Sequence, residues 1–372
     1  MIKRGWCPSL YEPMASGDGL LVRVKPPLGI IPAAAAHVLA GAAERFGNGI
    51  VSLTNRANLQ FRGLSEQGAK AFADVVLALG LASTDPLAER RRNVIVSPLN
   101  VTAGVLSQEL EAVLLEPSFA GLPGKFGIVV DAGPYSVAKA PGDILLLVGR
   151  DEVQLIVGNM SAATGQPVST VRKMIAAMLG MGSLRMRDVP PIDMFTAAGL
   201  KATRQLATFT QSSLIGPLEG AFGVGLAFGH TDAAGLRSLA SLAGSGDGTL
   251  RLTPWRTVLL PGIDQAPTDH KDLITDPASP LLGINTCPGR PYCAQASVNT
   301  YSDARALAGL VLHLHISGCE KGCAHPGAAA VTLIGRNGHY DIVRHGSTHD
   351  IPIRSDLTVT EIANYIRVEQ LT

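Results

Sequence analysis

The chain has 372 residues, with 31 lysines and arginines against 30 aspartates and glutamates, for a formal net charge of +1. That length predicts two or three domains, and near-neutrality argues against broad binding to duplex nucleic acid or to an acidic membrane surface. With 46% hydrophobic and 16% charged residues, real cores can form and long disordered tails cannot. The mean hydropathy is positive, yet no uncharged apolar run reaches the roughly 18 residues of a membrane span. The most apolar stretch, Ile215 to Gly229, contains Glu219 and reads as a buried strand. The opening MIKRGWCPSLYEP reaches Cys-Pro before any apolar core, so no secretory leader is expected and the expected compartment is cytoplasmic.

Gly17 to Pro27 alternates as a strand, and Pro32 to Phe46 is an Ala-rich helix. Gly49 to Gly63 then reads as a strand pair and Ser65 to Leu81 as a helix with Ser65 as its N-cap. This string ends near Asp85-Pro86. Beyond it come a strand-like Arg92 to Val101, a helix at Ser107 to Leu115, strands at Lys125 to Ala132, Asp143 to Gly149 and Val153 to Asn159, and a helix at Val168 to Leu179. The first string then recurs as a strand at Gly220 to Gly229, a helix at Asp232 to Ala243 capped by Asp232, and a strand pair at Gly246 to Gly262. Both copies carry Gly-x-x-x-Leu-Thr, as GIVSLT at Gly49 to Thr54 and GTLRLT at Gly248 to Thr253. A single repeat at about 200 residues predicts doubled domains, not a solenoid. A second larger segment starts at about Asp272 and closes with a helix at Thr360 to Leu371. The expected order is A-B-A′-B′, bounded at 1–85, 86–208, 209–270 and 271–372, in the α+β class.

Five cysteines, four of them between Cys287 and Cys323, make a poor disulfide framework and a good metal framework. CPGRPYC (Cys287 to Cys293) and CEKGC (Cys319 to Cys323) offer four thiolates in two pairs, which suit an iron–sulfur cluster or tetrahedral zinc. Zinc pairs usually lie two to four residues apart, and the five residues inside the first pair weigh toward a cluster. Pro288, Gly289, Pro291, Gly318, Gly322 and Pro326 let the backbone turn tightly and aim N–H groups at sulfur. Cys7, in a Gly-Trp-Cys-Pro-Ser turn, reads as structural. His313 and His315 in VLHLHIS read as a pair on one strand face, and His325 follows the last cysteine. These imidazoles suit a non-haem iron or substrate contacts, although no carboxylate completes a facial triad at recognisable spacing, and core hydrogen bonding is the plainer alternative. There is no dinucleotide fingerprint, phosphate loop or Ser-His-Asp signature. Electrons are therefore expected from a separate reductase or ferredoxin.

C-x5-C followed by C-x3-C in a doubled chain resembles the sulfite and nitrite reductase superfamily. Three blocks, RGWCPSLYEPMASGDGLLVRV, LTNRANLQFRG and HLHISGCEKGCAHPGAA, look like its precorrin-3B synthase branch. The resemblance spans nearly the whole chain. It implies two ferredoxin-like half domains, each followed by a sulfite-reductase-type mixed α/β domain. It also implies one 4Fe-4S cluster on Cys287, Cys293, Cys319 and Cys323, the last bridging to sirohaem iron in sirohaem-bearing relatives. LTNRANLQ matches the family's Thr-x-Arg-x-x-x-Gln stretch and points to Arg56 and Gln60; RRRNV points to Arg92, and LPGKFG to Lys125. The family's second lysine in that last stretch is absent, with Gly127 in its place, which weighs against six-electron reduction of sulfite or nitrite.

The implied activity is conversion of precorrin-3A to precorrin-3B, O2 hydroxylating the macrocycle at C20 while a lactone closes. Such a substrate carries many carboxylates, which guanidinium forks bind in pairs of hydrogen bonds. Arg62 and Arg290 therefore join Arg56, Arg92 and Lys125 as candidate contacts. Two alternatives stand beside this reading: a sirohaem-dependent nitrite or sulfite reductase, and a non-catalytic zinc-stabilised binding module. The internal doubling gives one chain the pseudo-symmetry of a dimer, so it can work as a monomer.

Overall fold

The computed structural model describes residues 8–204, 209, 213–266 and 270–369. Cys7 and the last two residues of the predicted final helix lie outside the described residues. Sheet A orders the strands Met14–Ser16, Gly19–Val24, Leu59–Leu64, Ile50–Leu53 and His230–Asp232. Sheet A′ orders Gly216–Leu218, Ala221–Leu226, Thr257–Pro261, Thr249–Leu252 and Ile30–Pro32, with the short Leu273–Ile274 also pairing on Ala221–Leu226. Each half thus donates a strand to the sheet of the other. Both exchanges are antiparallel, with His230 opposite Ser52 and Ile30 opposite Arg251.

The exchange follows from one local device used twice. Leu28 and Phe228 sit in the left-handed region at φ 53 and φ 57, each followed by a glycine at φ 68 or φ 77. The turn redirects the chain into three extended residues and then directly into the helix Ala33–Phe46 or Ala233–Ala243. Gly220 to Gly229 is therefore not one strand: Ala221–Leu226 ends where Phe228 turns. The Asp232 side chain accepts from Gly235 N–H, and Ser65 accepts from Gly68 N–H ahead of the helix Glu66–Ala78, so both expected caps are made. The two exchange helices pack on each other and bury Ala36, Leu39, Ala40 and Ala43 of one and Leu236, Leu239 and Ala240 of the other in the common core. One hydrophobic core runs through both half domains.

Sheets B and B′ share a second topology. In B, Val94–Val96, Ile128–Asp131 and Ile144–Val148 run parallel, followed by antiparallel Val153–Val157 and Met160–Thr164. In B′, Ile284–Thr286, Leu314–Ser317 and Ala329–Arg336 run parallel, followed by antiparallel His339–Gly346 and Arg354–Leu357. A helix joins the first two strands of each, Val101–Leu115 in B and Thr300–Ala306 in B′. The helix in B starts six residues earlier than Ser107. The strand-like reading ran on to Val101, but the Asn100 side chain accepts from Ala103 N–H at 2.8 Å and starts the helix there. The closing helix, Val359–Val368, begins with a capping box between Thr358 and Glu361.

The carboxyl ends of the parallel strands meet at one edge of each sheet, the usual place for a ligand in such an arrangement. In B that edge carries a link of residues 97–100, and in B′ a loop of residues 287–299.

Ala40, 0% exposed, tests the packing that joins the halves. Ala40→Leu is expected to lower stability by about 1–3 kcal/mol through overpacking, while Ala34→Leu, on the exposed face, stays within about 0.5 kcal/mol. Denaturant midpoints check both.

Candidate metal centre and its basic surround

All four cysteines stand on the loops that leave the parallel strands of B′. Cys287 follows Ile284–Thr286 and donates its N–H to Ile316 O, while Cys319 and Cys323 follow Leu314–Ser317. None is in a disulfide; Cys287 is buried, Cys293 and Cys319 are half-buried, and Cys323 is exposed. The Gly318 N–H donates to Cys287 Sγ at 3.2 Å. Burial pushes the Cys287 thiol up, backbone N–H groups of Gly318 and Gly289 oppose it, and Cys293 and Cys319 push it up further. Cys323 is likewise raised by burial and then by Cys319 and Cys293. The Cys287 and Cys323 thiols thus both lie in the field of Cys293 and Cys319.

Two close approaches fix this loop. Gly289, at φ 61, passes so near Thr300 that a Cβ would lie 2.3 Å from its Oγ1. Gly17, in the first loop of half A, passes so near Cys293-Ala294 that a Cβ would lie 2.0 Å from Ala294 N.

Among the described residues, the group of three or more His, Cys, Asp or Glu donors whose ligand atoms fall within 4.8 Å of one another is Asp232, His270 and Asp272. The cysteine sulfurs do not form such a group of three, so no single-ion site is preformed among them within the described residues. The Asp232, His270 and Asp272 group is otherwise occupied: Asp232 caps a helix, and Asp272 pairs with Arg305.

The histidines are arranged differently from the sequence expectation. His313 lies in an exposed bend before the strand and does not share a strand face with His315. His315 is 0% exposed, and neither ring nitrogen has a partner. Its ring instead meets that of His325 edge-on, at 5.7 Å between centroids. Burial, and then His325, push His315 down to about 4, so it is neutral. His325 Nε2 lies 3.2 Å from Ala328 O.

The basic residues form two groups. Arg56, Arg92 and Lys25 line a cavity of about 20 Å³, room for one water molecule. Arg56 donates to Lys125 O at 3.1 Å, which brings the Lys125 backbone to the same place. Arg92 pairs with Glu89 at 3.0 Å and lies 3.6 Å from Glu111, so much of its charge is answered. Lys25, which sequence reasoning missed, donates to Glu89 O, Arg90 O and Asn93 Oδ1. Burial pushes it down to about 8.

Arg62 belongs to the second group, and its task differs from the expected one. Its guanidinium is held by Asp18 at 3.1 Å and by Ser16, and it donates to Tyr292 O at 2.7 Å, next to Cys293. It is a buried strut between half A and the cysteine loop, not a fork open to a ligand. Arg290 is exposed on that loop. Gln60 accepts from Arg23 at 3.4 Å.

Strand register places Arg23, Gln60, Ser52 and His230 in one row across four strands of sheet A. Arg62 lies two residues beyond Gln60 on the same face, opposite the helices. This face meets B′ at Tyr292, through Arg62, and at Tyr301, on which the His230 ring stacks at 3.9 Å. Lys25, His230 and Tyr301 carried no motif in the sequence, and Arg23 was not singled out within its block; only tertiary pairing brings them together. On the corresponding face of A′, the short link in B leaves an open cavity of about 650 Å³ lined by Ile30, Leu99, Val101, Tyr135 and Arg251, with no cysteine in its wall. No cysteine lines either of these two cavities.

Comparison with known proteins gives this arrangement a context. The nitrite/sulfite reductase ferredoxin-like half domain family matches residues 12–79 and 219–269, the two interlocked halves. The structure of the Mycobacterium tuberculosis NirA protein superposes with a TM-score of 0.68 at 17% identity, covering 94% of this chain and 80% of that one. A ferredoxin–nitrite reductase of Synechococcus elongatus is 25% identical over 89% of this chain and 78% of its own length. A precorrin-3B synthase of a Sinorhizobium species is 31% identical over 94% of this chain and 85% of its own length. The matched half domains and these relatives place the chain in the sulfite and nitrite reductase superfamily of oxidoreductase-family enzymes. Within it, the chain belongs to the precorrin-3B synthase branch.

Removing Arg62 leaves Asp18 buried beside the cysteine loop, a change that typically costs about 3–5 kcal/mol. Arg62→Ala is expected to lose reconstituted iron severalfold faster than the parent, and Asp18→Asn with Arg62→Met to recover part of the loss. Iron release to a chelator reads the difference.

Proposed function

We propose that the protein is a precorrin-3B synthase-type monooxygenase, with a 4Fe-4S cluster on Cys287, Cys293, Cys319 and Cys323. The reaction adds one oxygen atom of O2 to precorrin-3A at C20, closes a lactone with the ring-A acetate, and sends the other oxygen to water with two electrons and two protons. A bound cluster supplies one-electron transfer, drawing on an external reductase or ferredoxin. The residues present suit such a group: four free thiols on neighbouring loops and backbone N–H groups aimed at sulfur. A non-haem iron for O2 would need ligands beyond His315 and His325, since His313 faces elsewhere.

Arg56, Arg92 and Lys25 support the substrate side as fixed positive charge: the space between them holds one water, so an acetate or propionate would lie at its mouth and not inside it. The observation that carries the reading is the likeness to a precorrin-3B synthase along 94% of the chain. Gly127 adds to it. Arg56 Nη1 lies 3.2 Å from where a Cβ at Gly127 would stand, so a side chain there would press the guanidinium aside by a few tenths of an ångström. The glycine also offers no amine to hold a small anion, which favours the corrin reading over nitrite or sulfite reduction. Cytoplasmic location is part of the same proposal; among the described residues, no helix is long and apolar enough to cross a membrane.

Protein purified without air, then given precorrin-3A, reductant and isotopically labelled O2, is expected to yield a product heavier by one labelled oxygen atom. An unchanged tetrapyrrole, or turnover of nitrite with a tightly held sirohaem, would overturn the assignment. Affinity for the polyacid is also expected to fall as pH rises through about 8, where Lys25 loses its proton and the cavity a positive charge. Lys25→Met should flatten that limb in a binding titration.

A further inference from the structure

The two copies of the fold correspond bond for bond at the first strand end of each larger sheet. Ser97 N–H donates to Val130 O where Cys287 N–H donates to Ile316 O. The Ala132 N–H reaches Ser97 Oγ at 2.8 Å where the Gly318 N–H reaches Cys287 Sγ at 3.2 Å. Ser97 therefore holds in B the place that Cys287 holds in B′. From there the copies part: B reaches its helix through residues 97–100, and B′ through residues 287–299. The space that the longer loop takes up beside sheet A stays open beside sheet A′, as the cavity of about 650 Å³. The row of sheet A′ that answers to Arg23, Gln60, Ser52 and His230 is Gly223, Leu259, Arg251 and Ile30, and its last two members stand in the cavity wall.

The lining decides what such a space can take. Leu28, Ile30, Leu99, Val101, Val105 and Tyr135 make it largely apolar. Val101 and Val105 stand 82% and 54% exposed on the helix Val101–Leu115, so this apolar wall is open to a ligand. Gly104, between them, puts no side chain into the space; within 4 Å a Cβ there would meet Leu28 Cδ1 alone, at 3.9 Å. Asp247 and Arg251 answer each other at 3.0 Å, and Asp247 also accepts from the Thr249 N–H and hydroxyl. Glu219 is exposed, and among the described residues its carboxylate has no basic partner. Burial and then the Glu219 charge push the Tyr135 hydroxyl up, so that carboxylate stands beside the aromatic ring of the wall. One uncompensated negative charge thus faces an apolar space of the size that holds a drug-sized molecule. The small cavity that shares Leu28 with it has the opposite character, with Lys25, Arg56 and Arg92 in its wall.

We propose that this cavity binds a hydrophobic organic cation, with an apolar body against Leu99, Val101 and Val105 and an ammonium-like group at the mouth beside Glu219 and Tyr135. The carboxylate attracts the cation, and the face of a phenol ring adds to the attraction. The same charge repels a polyacid, so the ligand is of a different class from the tetrapyrrole. Such a site does not depend on the tetrapyrrole reading.

Three probes of one shape test it: 9-anthracenylmethylamine, 9-anthracenemethanol and 9-anthracenecarboxylate, titrated into the full-length iron-reconstituted protein and followed by fluorescence anisotropy. The ammonium is expected to bind about 10-fold more tightly than the carboxylate, with the alcohol between them. Glu219→Gln, whose main-chain oxygen still accepts from Tyr135, should bring the three within about twofold of one another. Gly104→Leu puts a side chain into the space and should weaken the ammonium by about 10-fold or more. Its denaturant midpoint should not fall, because leucine is a better helix residue than glycine. If that variant fails to fold, Glu219→Gln still decides. No binding by any probe, equal affinities of the parent for ammonium and carboxylate, an unchanged preference in Glu219→Gln, or parental affinity in folded Gly104→Leu would each overturn the site.

Discussion

The exchange of two short strands is the constraint on which the rest depends. Because His230–Asp232 completes sheet A and Ile30–Pro32 completes sheet A′, neither half can form its sheet alone. The exchange brings together segments about 200 residues apart in the chain and gives them a common core. It also delivers the outer face of sheet A to the cysteine loop of B′, where Arg62 bridges Asp18 and Tyr292 O. Loop geometry at the thiols is thus set partly by a domain more than two hundred residues away. A buried ion pair adds little net stability over a well-packed apolar alternative, but it specifies one register. Here that register is the position of Cys293 relative to half A.

The duplication was legible in the chain because its signals are local. Ser65 and Asp232 are caps, and Gly-x-x-x-Leu-Thr marks the start of the second strand in each copy. The thiol quartet was legible for the same reason: spacing within two short loops is a property of sequence. What escaped was non-local. Strands of three residues show no period of two, so the exchange could not be seen. Arg62 belongs to a motif, but its partners Asp18 and Tyr292 O are set by folding, and they convert an expected ligand contact into a strut. His313 and His315 lie two apart and suggested one face, but the strand begins at Leu314 and leaves His313 outside it. Lys25 looked like the end of a strand, and only the approach of Glu89, Arg90 and Asn93 makes it part of a basic cavity.

Duplication also shows how the site became one-sided. At the strand ends of B, Asp131 gathers Ser97, Ser136 and the Val137 N–H into a closed hydrogen-bond network. At the same ends of B′, the longer loop carries thiols. The facing sheets diverge in parallel, polar in A and largely apolar in A′. Under the proposed function, the chemistry would sit on the copy that carries the thiols, and the other would keep the scaffold. Comparing the two copies within one chain separates residues the fold requires from residues it merely tolerates.

Diffraction from anaerobically grown crystals, recorded on both sides of the iron absorption edge, tests the central claim most directly. The account predicts a compact multi-iron anomalous peak between the sulfurs of Cys287, Cys293, Cys319 and Cys323, with Arg62 still bridging to Tyr292 O. A zinc signal on two or three of those sulfurs, or four thiols with no metal between them, would contradict it.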